Sequence, residues 1–280
     1  MTTHHPHTVR FASFRGVLAI VILLSVITGI DAVGQTNVLE SDPIRARKLI
    51  VYDMWGAYVG PSFNSQGGTF TSDCDCEFTG GASTGIALGG MFEKLTRSGL
   101  RWGVMLGYEN RSIEGRFREI EGVVQRAPST GQAYTVPIEF LNVGSLSLHY
   151  LTATPYVKVT FLDALFARAG AGLSYIVSNN LTHTKELVSD SVTFPNGERA
   201  SVVIPGAPSG EVVLQDGAVP NINALQIALS AALGAELRLS KTFFLSPVLQ
   251  YSYPFTSVAG GGEDYSVRAF QFFVEARFIL

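Results

Sequence analysis

Apolar residues alternate with polar or small residues along several segments of the chain. Between 100 and 108, one set of alternate positions holds leucine, tryptophan, valine, leucine and tyrosine, whereas the other set runs from Arg101 to Glu109. Successive side chains of a β-strand point to opposite faces, so this pattern predicts a strand with one apolar face. The same alternation recurs, more weakly in the last three, in the segments 151–161, 165–175, 227–239, 270–280, 85–93, 245–253 and 49–59.

The lengths and connections of these segments favour a membrane barrel over a soluble sandwich. Each segment has roughly the ~9–11 residues that a tilted transmembrane strand needs. Short connections alternate with long ones, the short at 95–99, 162–164 and 240–242 and the long at 61–82, 110–148, 178–224 and 254–266. Short turns opposite long loops are typical of outer-membrane barrels. The sequence therefore predicts an all-β, eight-stranded antiparallel up-and-down transmembrane β-barrel with long extracellular loops, preceded by a signal peptide.

A ten-stranded barrel is the structural alternative. A hairpin is predicted within the third long loop, with arms at 186–194 and 199–204 around Pro195-Asn196-Gly197. In its first arm, one set of alternate positions is largely hydroxylic and the other contains Asp190, so neither face suits lipid. We therefore interpret this segment as a hairpin above the membrane and predict eight strands.

The first residues have the pattern of a secretory signal peptide. Arg10 and Arg15 flank the start of an apolar run from 17 to 30, and Ala32 and Gly34 place small residues where a signal peptidase cleaves. The run, roughly 14 residues, is shorter than the ~17–25 residues of a spanning helix. We expect cleavage after Gly34. The predicted domains are a signal peptide at 1–34, a short periplasmic segment at 35–47 and the barrel at 48–280.

Composition narrows the classes of function. The net charge of −3 gives no support to a nucleic-acid partner. Cys74 and Cys76 are the only cysteines, which excludes a disulfide framework. Their Cys-x-Cys spacing in an acidic loop is compatible with a small loop disulfide, with two thiols that have no role, or with a soft metal. Neither a histidine nor a second cysteine pair completes a zinc pattern, so we predict no metal and no cofactor.

Aromatic residues fall at both ends of the predicted strands, as expected at the two membrane interfaces. Tyrosines mark the loop ends and phenylalanines the turn ends: Tyr58, Tyr108, Tyr175 and Tyr253, then Phe92, Phe161 and Phe278. With this layout and a last strand that ends Phe278-Ile279-Leu280, the mature region resembles the small bacterial outer-membrane barrels, namely OmpX, the OmpA transmembrane domain and the PorT-like barrels. The resemblance implies location in the bacterial outer membrane, contact with its lipid, insertion by the barrel assembly machinery and a monomeric state.

Charged residues occupy the faces predicted to point into the barrel. In the first strand, a charge on the lipid side is costly, so Asp53 is predicted inside and Tyr52, Met54 and Tyr58 outside. The full inward set is Asp53, Arg101, Glu109, Lys158, Arg168, Glu236, Arg238, Glu275 and Arg277. Because the interior of an eight-stranded barrel is just wide enough for its own side chains, we favour a paired polar plug over a gate that lines an ion path.

Ser147 and His149 share one face near the loop end of the fourth strand. A serine nucleophile and a histidine base also need a group that orients the histidine. The fifth strand offers Val177 and Asn179 at this height, and no carboxylate. We therefore predict that the protein is not an enzyme.

The function predicted from the sequence is that of a non-enzymatic integral outer-membrane protein. Its surface loops, above all the second and third, would serve structural, adhesive or binding roles, because a rigid scaffold with long loops is a common way to present a recognition surface. The sequence does not identify the ligand. A narrow gated pore and a lipid-active outer-membrane enzyme are the two alternatives.

Overall fold

The computed structural model of the protein describes residues 53–72, 76–96, 100–161, 164–202, 210–260 and 263–279. The predicted signal peptide with its cleavage site at Ala32 and Gly34, the segment 35–47, Tyr52 and Cys74 lie outside the described residues. Within these ranges, no helix is long and apolar enough to cross a membrane. The strands, numbered along the chain, are β1 (Asp53–Gly67), β2 (Phe70–Thr71), β3 (Glu77–Phe78), β4 (Gly81–Leu95), β5 (Arg101–Asn110), β6 (Ile113–Arg126), β7 (Ala133–Phe161), β8 (Leu165–Leu187), β9 (Ser191–Thr193), β10 (Arg199–Ser201), β11 (Glu211–Gly217), β12 (Leu225–Ala235), β13 (Leu237–Arg238), β14 (Phe243–Pro254) and β15 (Ser266–Ile279).

Eight antiparallel strands form a closed ring in the order β1, β4, β5, β7, β8, β12, β14, β15. The last strand pairs with the first, with Ala276 opposite Ala57, and this pairing closes the barrel. The hairpin predicted in the third long loop is present, although its arms are shorter than predicted. Its strands β9 and β10 pair with each other and lie outside the ring. The prediction of eight strands rather than ten is confirmed.

The alternation of the predicted strands corresponds to the two faces of the wall. Leu106, Leu151 and Leu233 are among the exposed apolar side chains that point away from the ring, and Leu233 is 61% exposed. The alternate positions point inward and are buried, as are Thr152 and Ser230. An apolar outer belt around a polar interior is the arrangement that hydrocarbon requires of a transmembrane barrel.

The first strand has the opposite orientation from the one predicted. Trp55 and Val59 point outward, whereas Met54 and Tyr58 are buried inside the ring. The prediction placed Asp53 inside and was wrong, because this residue lies at the very end of β1, where a charge is tolerated on either face. Its carboxylate is about 40% exposed and lies 3.6 Å from the Lys94 ammonium.

Tyr58 therefore crosses the lumen instead of joining an aromatic girdle. Two inward glycines make room for its ring. A Cβ added to Gly107 would lie 2.0 Å from the Tyr58 hydroxyl oxygen, and one added to Gly89 would lie 2.7 Å from it. These two positions accept no side chain while Tyr58 points inward.

Beyond the barrel wall, the strands continue into a folded extension that we call the crown. The crown comprises β6, β9, β10, β11, the first part of β7 (133–146) and the last part of β8 (181–187). Its main sheet has the order β6, β7, β8, β11. Much of the second and third segments predicted as loops is thus strand, because pairing satisfies backbone groups and buries alternate apolar side chains. Those side chains pack together in a small core of Ala127, Val136, Ile138, Phe140, Phe194 and Val202.

Candidate functional site

A cluster of ion pairs fills the turn end of the barrel interior. Glu93 is 1% exposed, and its carboxylate lies 2.8 Å from the Lys158 ammonium and 3.2 Å from both the Arg101 and Arg277 guanidinium groups. Glu236 contacts the same three cations, at 2.7 Å from Lys158 and 2.8 Å from Arg101 and Arg277. Two carboxylates and three cations thus neutralise most of one another's charge. Such pairing offsets the free-energy cost of removing charged groups from water.

Further polar contacts lead from this cluster towards the loop end of the interior, and we call the cluster and these contacts together the polar column. The Arg168 guanidinium lies 2.7 Å from the Glu275 carboxylate and donates a second hydrogen bond of 3.1 Å to the amide oxygen of Gln250. Gln250 donates to Gln271, which in turn donates to Glu109, at 3.0 and 3.1 Å. The column then reaches Arg111, 2.7 Å from the Glu109 carboxylate.

The structure brings together every charge predicted to face inward except Asp53 and Arg238. Arg238 is the last residue of β13, which continues the wall past β12 and pairs with β14, and it is exposed. Its guanidinium donates to the backbone oxygens of Ser240 and Lys241, at 3.1 and 3.2 Å. The prediction that Arg238 belongs to the interior set was therefore wrong, because this residue lies at the turn end of the wall, where its side chain reaches water.

Two members of the column, Glu93 and Arg111, are absent from the inward set predicted from the sequence. Glu93 shares its parity with the inward residues Ala87 and Met91, so the alternation of β4 already contained its signal. Arg111 lies past the predicted end of the third strand, and its two-residue spacing from Glu109 was the available clue.

An apolar cluster fills the loop end of the interior, above the polar column. Phe70 and Phe78 come from the short β2–β3 hairpin, and they pack with residues of β7 and β8 and of the last long loop. Tyr150 and Tyr265 are each 1% exposed within it. These side chains occupy the mouth of the barrel.

A buried serine–histidine pair lies where the crown meets the β2–β3 hairpin. The Ser72 hydroxyl is 3.1 Å from His183 Nδ1, and His183 Nε2 is 3.1 Å from the Asn142 amide oxygen. The Phe78 ring packs edge-on against the imidazole at 5.3 Å. His183 and Asn142 are fully buried and Ser72 is 4% exposed, so the contacts join β7 and β8 to the β2–β3 hairpin.

A second serine–histidine pair lies on the outer wall, where the crown meets the barrel. The Ser147 hydroxyl is 3.1 Å from His149 Nε2, and the Tyr108 hydroxyl is 2.5 Å from His149 Nδ1. The Tyr108 and His149 rings are stacked, with centroids 5.8 Å apart. All three side chains are partly exposed on the outside. The sequence predicted no orienting carboxylate for His149 on the fifth strand, and the structure places Tyr108 of β5, the third strand of the ring, against it.

The cysteines and acidic residues form no metal centre that the structure describes. Among the described residues, no group of three or more histidine, cysteine or acidic side chains is arranged to hold a metal ion. Cys76 is disulfide-bonded. Because Cys74 lies outside the described residues, the bridge between the two stays a prediction.

The tips of the second and third long loops meet at one carboxylate. Glu198, in the β9–β10 turn, accepts hydrogen bonds from the Ser129 backbone nitrogen and hydroxyl, at 3.0 and 2.7 Å. The Ser129 hydroxyl is the main reason why the pKa of Glu198 lies below its usual value. A contact that lowers the pKa of a carboxyl stabilises its ionised form. The contact therefore contributes fully above the usual pKa of the carboxyl, and its contribution is lost as the pH falls through the lowered pKa.

We expect acidification from pH 7 through the lowered pKa of Glu198 to release the tip at 127–132 from the hairpin, because the protonated carboxyl accepts these hydrogen bonds less strongly. Hydrogen exchange of the tip amides, expressed as protection relative to the intrinsic rate at each pH, measures the release. The variant Glu198→Gln should show little protection both at pH 7 and at the acidic end of the titration. Equal pH dependence in the wild type and the variant would contradict this role of the carboxylate.

The closed ring and its apolar belt define the class of this protein. An even number of antiparallel strands, an apolar outer wall and aromatic residues near the wall's ends are the features of outer-membrane β-barrel proteins. At the turn end, Trp55, Phe92 and Trp102 form a chain of ring contacts, with centroids 5.1 and 6.1 Å apart. Tyr175 and Tyr253 are exposed at the loop end. The protein is an eight-stranded outer-membrane barrel.

Comparison with known proteins finds similar solved structures and no family. No family model matches the sequence, and no curated protein matches it. Among solved structures, Ail, the attachment invasion locus protein of Yersinia pestis, in complex with the heparin analogue sucrose octasulfate, is 10% identical, with 81% of this chain and 99% of that chain covered and a TM-score of 0.32. Neisserial surface protein A is 13% identical over 79% of this chain and 96% of that chain, with a TM-score of 0.30. A major outer membrane protein from Thermus thermophilus is 13% identical over 80% of this chain and 99% of that chain, with a TM-score of 0.33.

Proposed function

We propose that this protein is a closed, non-conducting outer-membrane barrel whose role lies in its extracellular crown. The observation that carries the proposal is the filled interior, with ion pairs at the turn end and an apolar cluster at the loop end. The interior side chains of Arg277 and Glu275 are fully buried. An eight-stranded barrel has room for little beyond its own side chains, so the charges act as a plug and not as a gate.

The crown supplies the surface for a structural, adhesive or binding role. Its sheet and hairpin are held together by a core of their own, so the exposed face is preformed. Preformed surfaces bind with a smaller loss of conformational entropy than flexible loops do. Ile120 and Val124 of β6 are 71% and 65% exposed and offer apolar contacts to a partner outside the cell. The crown and the lumen need no catalytic group for this role, and the protein works as a monomer inserted by the barrel assembly machinery.

Single-channel recording in a planar bilayer tests the closed state. We expect the folded wild-type protein to give no steady conductance in about 1 M salt, an ionic strength at which exposed charges are screened, while an open porin recorded in the same bilayers conducts. The variant Glu236→Gln should unfold more readily in detergent, because it removes one of the two carboxylates that balance Lys158, Arg101 and Arg277. Clear wild-type channels, with an ion selectivity that Glu236→Gln shifts and an unchanged unfolding midpoint, would support a gated pore instead.

A further inference from the structure

The Ser147–His149–Tyr108 contacts place a nucleophile, a base and an orienting group in one row on the outer wall. If His149 Nδ1 donates its proton to the Tyr108 oxygen, Nε2 carries the lone pair and accepts the Ser147 hydroxyl proton. This is the tautomer that a general base next to a serine requires. Unlike the buried Ser72–His183 pair, this pair is reachable from outside the ring.

An apolar groove begins at the same tyrosine and extends down the wall. It has a volume of about 530 Å³, and Leu88, Leu106, Tyr108, Leu151, Leu173 and Tyr175 are among its lining residues. Leu151 follows His149 by two positions on the same face of β7, a step of roughly 7 Å along a strand. The groove faces the membrane and not the lumen, so the molecules that reach it are membrane lipids.

We propose that Ser147, His149 and Tyr108 form a hydrolytic site for acyl esters of membrane lipids, with the acyl chain in this groove. The row of polar groups lies near the level of the outward tyrosines, where the ester bonds of a lipid meet the interface. The lining of the groove indicates the kind of ligand, because an apolar groove open to lipid accepts a hydrocarbon chain. The inference goes beyond the proposed role of the crown and departs from the sequence prediction that the protein is not an enzyme.

The reaction is acyl transfer to serine followed by hydrolysis. Ser147 Oγ attacks the ester carbonyl carbon while its proton passes to His149 Nε2. The bond from carbon to the alkoxy oxygen then breaks, and the alcohol leaves with that proton. Water, deprotonated by His149, attacks the acyl-serine, which releases the fatty acid and returns the proton to Ser147. One ester and one water thus give one acid and one alcohol.

Asn180 of β8 is the cross-strand partner of Ser147 and lies on the same face. Its amide nitrogen donates to Thr182 and to Asp216, at 3.2 and 3.1 Å. Both N–H groups of Asn180 are thus engaged within the crown, so Asn180 is a neighbour of the nucleophile and not an oxyanion donor. Tyr108 is the positioning residue of the site, because its contact fixes the orientation of His149.

The test uses the folded full-length protein in vesicles of phosphatidylethanolamine and, separately, of lipopolysaccharide, with released fatty acid measured by mass spectrometry. We expect release by the wild type, loss to background with Ser147→Ala, and a fall of about 10²–10⁴-fold with His149→Ala. Ser145→Ala is the matched control, because Ser145 lies on the same face of β7 two positions away, and it should keep the wild-type rate. Release from one lipid alone identifies whether a glycerophospholipid or an acylated saccharide is the source of the ester.

A second measurement does not depend on the choice of lipid. A fluorophosphonate probe labels activated serines, and peptide mass spectrometry should find it on Ser147 in the wild type but not on Ser147 in His149→Ala. Tyr108→Phe should slow both labelling and turnover while the barrel still shifts normally on a gel. Absence of fatty acid from both lipids, together with no label on Ser147 in a folded barrel, would overturn the inference. The closed lumen would be unaffected by that result, since bilayer conductance tests it separately.

Discussion

Replacing Glu93 with glutamine is expected to lower the free energy of unfolding by about 3–5 kcal/mol, the usual cost of breaking a buried ion pair from one side. Lys158 and Arg277, which are 1% and 0% exposed, then keep Glu236 as their remaining carboxylate neighbour in this cluster. Loss of the negative charge leaves three largely buried cations facing one carboxylate. A urea titration followed by the gel shift between folded and unfolded barrel measures the change.

The matched control for this prediction is Glu139→Gln in the crown. Glu139 pairs with Arg118 at 3.1 Å, but the two side chains are 37% and 66% exposed. An exposed ion pair contributes about 0–1 kcal/mol, so the unfolding midpoint should hardly move. Similar midpoints for the two glutamine variants would show that water enters the lumen freely and would remove the basis for the plug.

Replacing Leu233 with arginine is expected to destabilise the barrel by about 2–4 kcal/mol, the cost of a cation at the middle of the bilayer on the lipid face. Leu233 points outward and lies near the middle of the wall, opposite Leu249 of β14 and Ala167 of β8. Refolding into lipid vesicles at increasing urea concentration gives the free energy.

Leu239→Arg is the control that separates the effect of depth in the membrane from the effect of losing an exposed leucine side chain. Leu239 is equally exposed, at 60%, but it lies beyond β13 at the turn end of the wall. Near the interface the same substitution costs about 0–1 kcal/mol. Equal tolerance of the two variants would mean that the outer wall is not buried in hydrocarbon.

Period-two alternation predicted the strands, because lipid imposes a strict rule on one face of each strand, and the order of short and long connections then favoured the barrel over a soluble sandwich. Leu151 and Leu233 belong to the apolar sets of the segments 151–161 and 227–239, and both point outward in the structure. The rule weakens at strand ends, where Asp53 and Arg238 were wrongly placed inside. At those depths a charged side chain reaches water from either face, so its position carries little information about orientation.

Only part of the candidate site on the outer wall could be predicted from the sequence. Ser147 and His149 are two residues apart, and their shared face could be predicted from the sequence. Tyr108 is 41 positions away from His149, and its contact depends on the register between β5 and β7, in which Asn110 lies opposite His149. Register between strands joined by a long connection is set by packing throughout the sheet, and a single sequence does not display it.

The length of β7 has a mechanical consequence. This strand runs for 29 residues, which at ~3.3 Å per residue corresponds to about 95 Å of continuous backbone. Roughly 10 of its residues cross the hydrocarbon, so most of the strand stands clear of the membrane. A pull on the crown along β7 therefore reaches the wall through one uninterrupted strand and loads its ladder with β8 in shear, across many hydrogen bonds at once. The crown is therefore rigidly connected to the barrel, and a force applied at its tip is transmitted to the barrel wall.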